Sequence, residues 1–132
     1  MKLEILAKVL EDADCGTIGE TIFVHRMDAE TRIGVLLRNP LDGTPVDPNL
    51  PGYYRSKLQA IVRHDGQAEG DLLADKVGKA LKMFNRRFTG PGNQLVMKVN
   101  HIFPSQLPIT YPRLPGQGIE WSLNFTTSYV QP

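Results

Sequence analysis

The chain has 132 residues, enough for one hydrophobic core, so one folded unit over 1–132 is expected. Apolar residues make up 41% and charged residues 22%, ordinary globular usage that excludes disordered, collagen-like and fibrous classes. Fifteen basic and fourteen acidic side chains leave a formal charge of +1, so no whole-molecule field draws in a polyanion and a dedicated nucleic-acid binder is disfavoured.

The opening Met1-Lys2-Leu3-Glu4 turns charged within a dozen residues, unlike the apolar run of a signal peptide or a membrane span. Cytosolic synthesis and no membrane partner are expected. The lone Cys15 cannot close an internal disulfide and reads as a small buried residue in a reducing compartment.

Leu3, Leu6, Ala7, Leu10 and Ala13 recur at helical spacing opposite Glu4, Lys8, Glu11 and Asp12, which predicts a helix over 2–14 stopped at Gly16. Two β-rich runs follow, Thr21 to Met27 and Arg32 to Arg38, and the short polar link between them predicts an antiparallel hairpin. From Asn39 to Gly52, four prolines and two glycines forbid a ladder or a helix, so this stretch is an excursion off the fold. Tyr53 to Arg63 alternates as a strand, with Tyr54, Ser56, Leu58, Ala60 and Val62 on one side and Arg55, Lys57, Gln59 and Arg63 mostly on a wet side. A second helix is predicted from about Gln67 to Phe88, with Leu73, Val77, Ala80, Leu81, Phe84 and Phe88 as its apolar stripe. Gly90-Pro91-Gly92-Asn93 ends it, Gln94 to Phe103 reads as a strand, and Pro104 to Gly118 is a second proline-rich excursion. The closing strand puts Ile119, Trp121, Leu123, Phe125 and Tyr129 on one face and Glu120, Ser122, Asn124, Thr126 and Ser128 on the other, a pattern for a sheet covered on one side only. The expected fold is α+β: a two-layer sandwich whose mixed, largely antiparallel sheet of about four to five strands carries both helices on one face.

No residue set carries a reaction. His25, His64 and His101 lack metal-ligand spacing, and no serine sits in a Gly-x-Ser-x-Gly elbow or a Ser-x-x-Lys pair, so no catalytic, metal or cofactor-binding residue is assigned. Gly90-Pro91-Gly92-Asn93 follows a helix and leads into a strand, the reverse of a phosphate-binding turn. Lys76, Lys79, Lys82, Arg86 and Arg87 are expected on the solvated side of the second helix. Tyr53, Tyr54 and Tyr111, beside Pro and Gly, are interface candidates, with core packing equally open for Tyr54.

The stretches Glu20-Thr-Ile-Phe-Val-His-Arg-Met27, Gly34-Val-Leu-Leu-Arg-Asn-Pro-Leu-Asp-Gly-Thr-Pro-Val-Asp-Pro48 and Leu50-Pro-Gly-Tyr-Tyr54 resemble the small minor capsid proteins of tailed bacteriophages, a family similar to the tail terminators or tail completion proteins. Leu58 to Arg63, Leu72 to Val77 and Ile109-Thr-Tyr-Pro-Arg113 extend the resemblance over most of the chain. It implies a non-enzymatic virion protein of the phage tail and neck, made in the bacterial cytoplasm. Its partners would be its own copies in a homo-hexameric ring, the tail tube protein that the ring caps, and a neck or head-completion protein.

Two site expectations follow. The excursions are expected to supply intersubunit or axial contacts through Pro40, Leu41, Asp42, Val46, Pro48 and Tyr53 in the first and Tyr111 and Arg113 in the second. Arg55, Lys57 and Arg63 are expected to face a channel, in non-specific contact with passing DNA. A head-tail connector or stopper of the neck is the alternative within the structural class, and a small ligand- or nucleic-acid-binding module using the open sheet face is the alternative outside it.

Overall fold

A computed structural model describes residues 1–39, 43–112 and 118–132. Helix α1 (Leu3–Asp12) buries Leu3, Leu6, Ala7, Val9 and Leu10, as its spacing predicts. Its stop lies at Asp14 and not at Gly16. Asp14 takes the left-handed conformation (φ 62°), so that the Cys15 N–H reaches the Leu10 carbonyl at 3.0 Å and the Asp14 N–H reaches that of Glu11 at 3.1 Å. These two bonds satisfy carbonyls that the helix end would otherwise leave open.

Strands β1 (Ile22–Val24) and β2 (Gly34–Arg38) pair in parallel, Ile22 beside Val35 and Val24 beside Leu37, which corrects the expected antiparallel hairpin. The reason is burial of Met27. It joins Leu36, Ile61 and Phe23 in a small apolar cluster, which takes the connection across the sheet and back to the starting end. Gly34 permits the close approach, since a Cβ there would lie 3.2 Å from the Met27 sulfur.

Strand β3 (Tyr53–His64) pairs with β2 over its second half and with β7 (Ile119–Val130) along its whole length. Helix α2 (Gln67–Leu81) then packs Gly70, Ala74, Val77 and Leu81 onto the sheet. Its expected continuation to Phe88 is overturned. Lys82 leaves helical geometry and Met83–Thr89 forms β4, an edge strand antiparallel to β5 (Leu95–Pro104). Met83 to Thr89 is held as a strand by its pairing with β5, and the Gly90 to Asn93 turn closes the two into a hairpin. The expected basic row therefore splits, with Lys76 and Lys79 on α2, Lys82 at its end, and Arg86 and Arg87 on β4. Phe84 is exposed, not part of a helical stripe.

The second excursion contains a further strand, β6 (Ile109–Pro112), paired with the start of β7, whose second half pairs with β5 on the same edge. β5 and β6 are thus one interrupted strand, and Ser105 to Pro108 bulges out opposite Asn124. Among the described residues the sheet has seven strands, in the order β1-β2-β3-β7-β5-β4 with β6 beside β7, where about four to five were expected. The class is α+β, with both helices in the main core on one face. The opposite face is not uniformly wet, since Met27, Leu36, Ile61, Ser122 and Ser128 are all buried.

Trp121 sets the α2 packing distance. A Cβ on Gly70 would meet its ring at 1.9 Å, and its indole N–H donates to the Asp71 carboxylate at 2.8 Å.

Candidate assembly surfaces

Large exposed apolar side chains among the described residues fall on opposite margins of the sheet. Ile18, Ile33, Val46 and Leu50 flank the β1, β2 and β3 side, and Phe84, Phe103, Leu107, Ile109 and Tyr111 line the β4, β5 and β6 side. Leu72, on α2, stands apart.

On the first margin the β2–β3 connection is braced locally. The Asp47 carboxylate accepts the Asn49 N–H at 2.9 Å, the Tyr53 N–H donates to the Leu50 carbonyl at 3.1 Å, and the Thr44 and Ser56 hydroxyls meet at 3.2 Å. These bonds hold Val46 out at 73% exposure, with Pro48 exposed beside it. Tyr53 is half-buried, and its hydroxyl accepts hydrogen bonds from Ser128 and Arg55, which pull it below the ordinary phenol range. Tyr54 packs on Tyr129 with ring centroids 5.4 Å apart, which makes it a core-facing residue. Pro40, Leu41, Asp42 and Arg113 lie outside the described residues.

The second margin is cut by the bulge between β5 and β6. An apolar groove of about 190 Å³ opens there between α2 and the bulge, floored by Ala74, Gly78, Leu123 and Phe125, with Leu107 and Pro108 as one lip. Lys79 and Lys82 stand at its rim. Lys79 pairs with Asp75 at 2.9 Å, while Lys82 makes no ion pair among the described residues.

On the open face, the three expected channel residues differ. Arg55 and Lys57 are exposed. Arg63 is bound internally, its Nε 2.9 Å from Glu120 Oε2 and its Nη1 2.8 Å from the Asp28 carbonyl, with side chains of Arg63 and Glu120 only 15% and 13% exposed. The other Glu120 oxygen accepts the Tyr111 hydroxyl at 2.7 Å, and burial together with that carboxylate pushes the phenol up to about 12. Nearby, Arg38 donates to Gln59 at 2.6 Å and Gln59 to Ser122 at 2.8 Å. Sequence reasoning missed Glu120 as the partner of Arg63 and Tyr111. Alternation placed Arg63 and Glu120 on wet faces, but only the β3–β7 register sets them opposite each other. It also missed Phe84, His101 and Phe103 on the far margin, where the His101 and Phe103 rings lie 5.0 Å apart.

Among the described residues no group of three or more His, Cys, Asp or Glu is placed to hold a metal ion. His64 Nδ1 accepts the Gly66 N–H at 3.0 Å, and His25 is exposed. Cys15 is buried, which pushes its thiol up. No described helix is long and apolar enough to cross a membrane.

The described residues form an α+β unit with a hydrogen-bonded polar sheet face and exposed apolar side chains on both margins, surfaces suited to contact with other chains. The chain belongs to the bacteriophage tail terminator family, whose model, described as bacteriophage tail terminator protein, matches residues 9–131. It is a structural protein of the phage tail and hence of the virion. A chain in the solved virion of a native gene transfer agent particle has a similar fold, with a TM-score of 0.52 and 16% identity over 97% of this chain and 85% of that one. A comparison with curated proteins finds no match.

Proposed function

We propose that the 132 residues act as one tail-terminator unit whose copies join head to tail into a hexameric ring. The ring caps the tail tube, ends its polymerisation and offers its other axial surface to a neck or head-completion protein. One observation carries this reading: among the described residues the large exposed apolar side chains other than Leu72 gather on two different margins. A cyclic ring is a heterologous assembly and needs two distinct complementary surfaces on each subunit, whereas a two-fold dimer needs one self-complementary patch. In this reading Pro40, Leu41, Asp42, Val46, Pro48 and Tyr53 contribute one surface, and Tyr111 and Arg113 belong to the other.

Native mass and electron microscopy of the purified protein, alone and with purified tail tubes, test this. Closed rings seated on tube ends are expected. Rings that bind neck components and ignore tubes would instead make the chain a connector or stopper. The open face, with Arg55, Lys57 and Arg63, is read as the channel side. Arg55 and Lys57 carry the exposed charge toward passing DNA, while Arg63 holds the face together through Glu120. Reversing Arg55 and Lys57 should slow DNA passage with assembly intact, and unchanged passage would remove the channel role.

A further inference from the structure

Within the ring reading, on which this inference rests, we infer that the tip of the β2–β3 connection of one copy, Val46-Asp47, occupies the α2 groove of the next copy. The groove is lined by Ala74, Gly78, Leu123 and Phe125, and its volume of about 190 Å³ exceeds the roughly 150 Å³ at which an apolar cavity takes up a benzene ring. That is room for one aliphatic side chain. Val46 is 73% exposed on a segment stiffened by Pro45, Pro48 and Pro51, so seating it costs little ordering entropy. The charges match. Asp47 follows Val46 directly, and the groove rim carries Lys82 with no ion pair among the described residues, beside the Lys79–Asp75 pair. Val46 and Asp47 stand beside Pro45, Leu50, Tyr53 and Arg55, a surface that shares no residue with the groove lining, so the loop does not fill its own groove and the contact passes from subunit to subunit. Leu107, 86% exposed on the groove lip, closes over the inserted valine.

The test uses the full chain. Asp47→Lys or Lys82→Glu alone should weaken self-association about tenfold or more by setting like charges together, and the double exchange should restore it. Gly78→Leu fills the groove floor from within. A Cβ at this position lies 3.6 Å from Leu123, an ordinary contact, so the monomer should fold normally by circular dichroism while assembly is lost. Val46→Cys with Leu107→Cys should give a ladder of covalent multimers on oxidation, with the buried Cys15 silent. Rings that persist in Gly78→Leu, with no ladder from the cysteine pair, would overturn this contact and leave the ring reading standing. A disulfide closed within one monomer would overturn it too, because the loop would then cover its own groove. A wild-type chain that stays monomeric both alone and beside tail tubes would overturn the ring reading and this contact together.

Discussion

Under the helices the sheet presents Leu58, Ala60, Val62, Leu123, Phe125 and Trp121, all close to fully buried, while its other face presents Arg38, Gln59, Arg63, Glu120 and Ser122 joined by side-chain hydrogen bonds. The same strands build both, because alternate residues point to opposite sides. On the first face stability is non-directional and scales with apolar area removed from water. On the second it depends on donors and acceptors meeting, with net gains of about 0.5–1.5 kcal/mol per neutral bond and more for charged ones. The buried face thus fixes the subunit, and the polar face and the margins are left to make contacts outward.

If that division is right, the largest loss comes from the helix-covered face. Trp121→Ala removes a fully buried ring and its hydrogen bond to the Asp71 carboxylate, and it should cost about 3–5 kcal/mol in urea unfolding. A loss below about 1 kcal/mol would mean that the α2 contact is not what holds the core. On the polar face, Glu120→Gln removes the charge that both Arg63 and Tyr111 use, and about 1–3 kcal/mol is expected. Arg63 and Glu120 should couple strongly in a double-mutant cycle, whereas the exposed Lys8–Asp12 pair should not. Back on the first face, Gly70→Ala sets two effects against each other. Overpacking against the Trp121 ring costs about 1–3 kcal/mol, and the better helix propensity of alanine returns at most about 1. The net is destabilising, and it should vanish in a Trp121→Ala background, where no ring meets the added methyl.

Legibility in the sequence followed the strength of local pattern. The long alternating strands β3 and β7 and the stripe of α1 were plain, because period and burial agree there. β4 was not, since Leu81, Phe84 and Phe88 satisfy a helix, while Met83 and Phe88 both pack on the core yet stand five residues apart, with Asn85 in a left-handed conformation between them, so strict alternation does not reveal the strand and only pairing with β5 does. The β1–β2 direction was hidden because it depends on where Met27 is buried, a tertiary fact. β6 escaped notice among prolines, which edge strands tolerate where no inner ladder bond is needed. Of the candidate surfaces, the exposure of Val46, Pro48 and Tyr111 agrees with the composition of the excursions. The groove has no sequence signature, since α2, the bulge and β7 supply its walls from separate parts of the chain.

The smallest expected effect tests the polar face by pH. Burial of the Tyr111 phenol, together with the hydrogen bond it donates to the Glu120 carboxylate and the second negative charge that ionisation would place there, raises its value from 10.0 to about 12. The neutral phenol is therefore favoured in the folded chain. Its contribution is whole below pH 10.0, where the tyrosine is protonated folded or unfolded, and it is lost as pH rises from there through about 12. Tyr111 is 40% exposed, so solvent screening keeps the effect small. Unfolding free energies of the wild type and Tyr111→Phe should differ by a constant amount from pH 7 to 9 and converge between pH 10 and 12. Tyr111→Phe in a Glu120→Gln background should lose the part of that convergence due to the carboxylate and keep the part due to burial. Parallel curves for wild type and Tyr111→Phe across the whole range would show that neither burial nor Glu120 disfavours the phenolate, so that Glu120 spends its charge on Arg63 and β6 is held to the sheet by its backbone ladder.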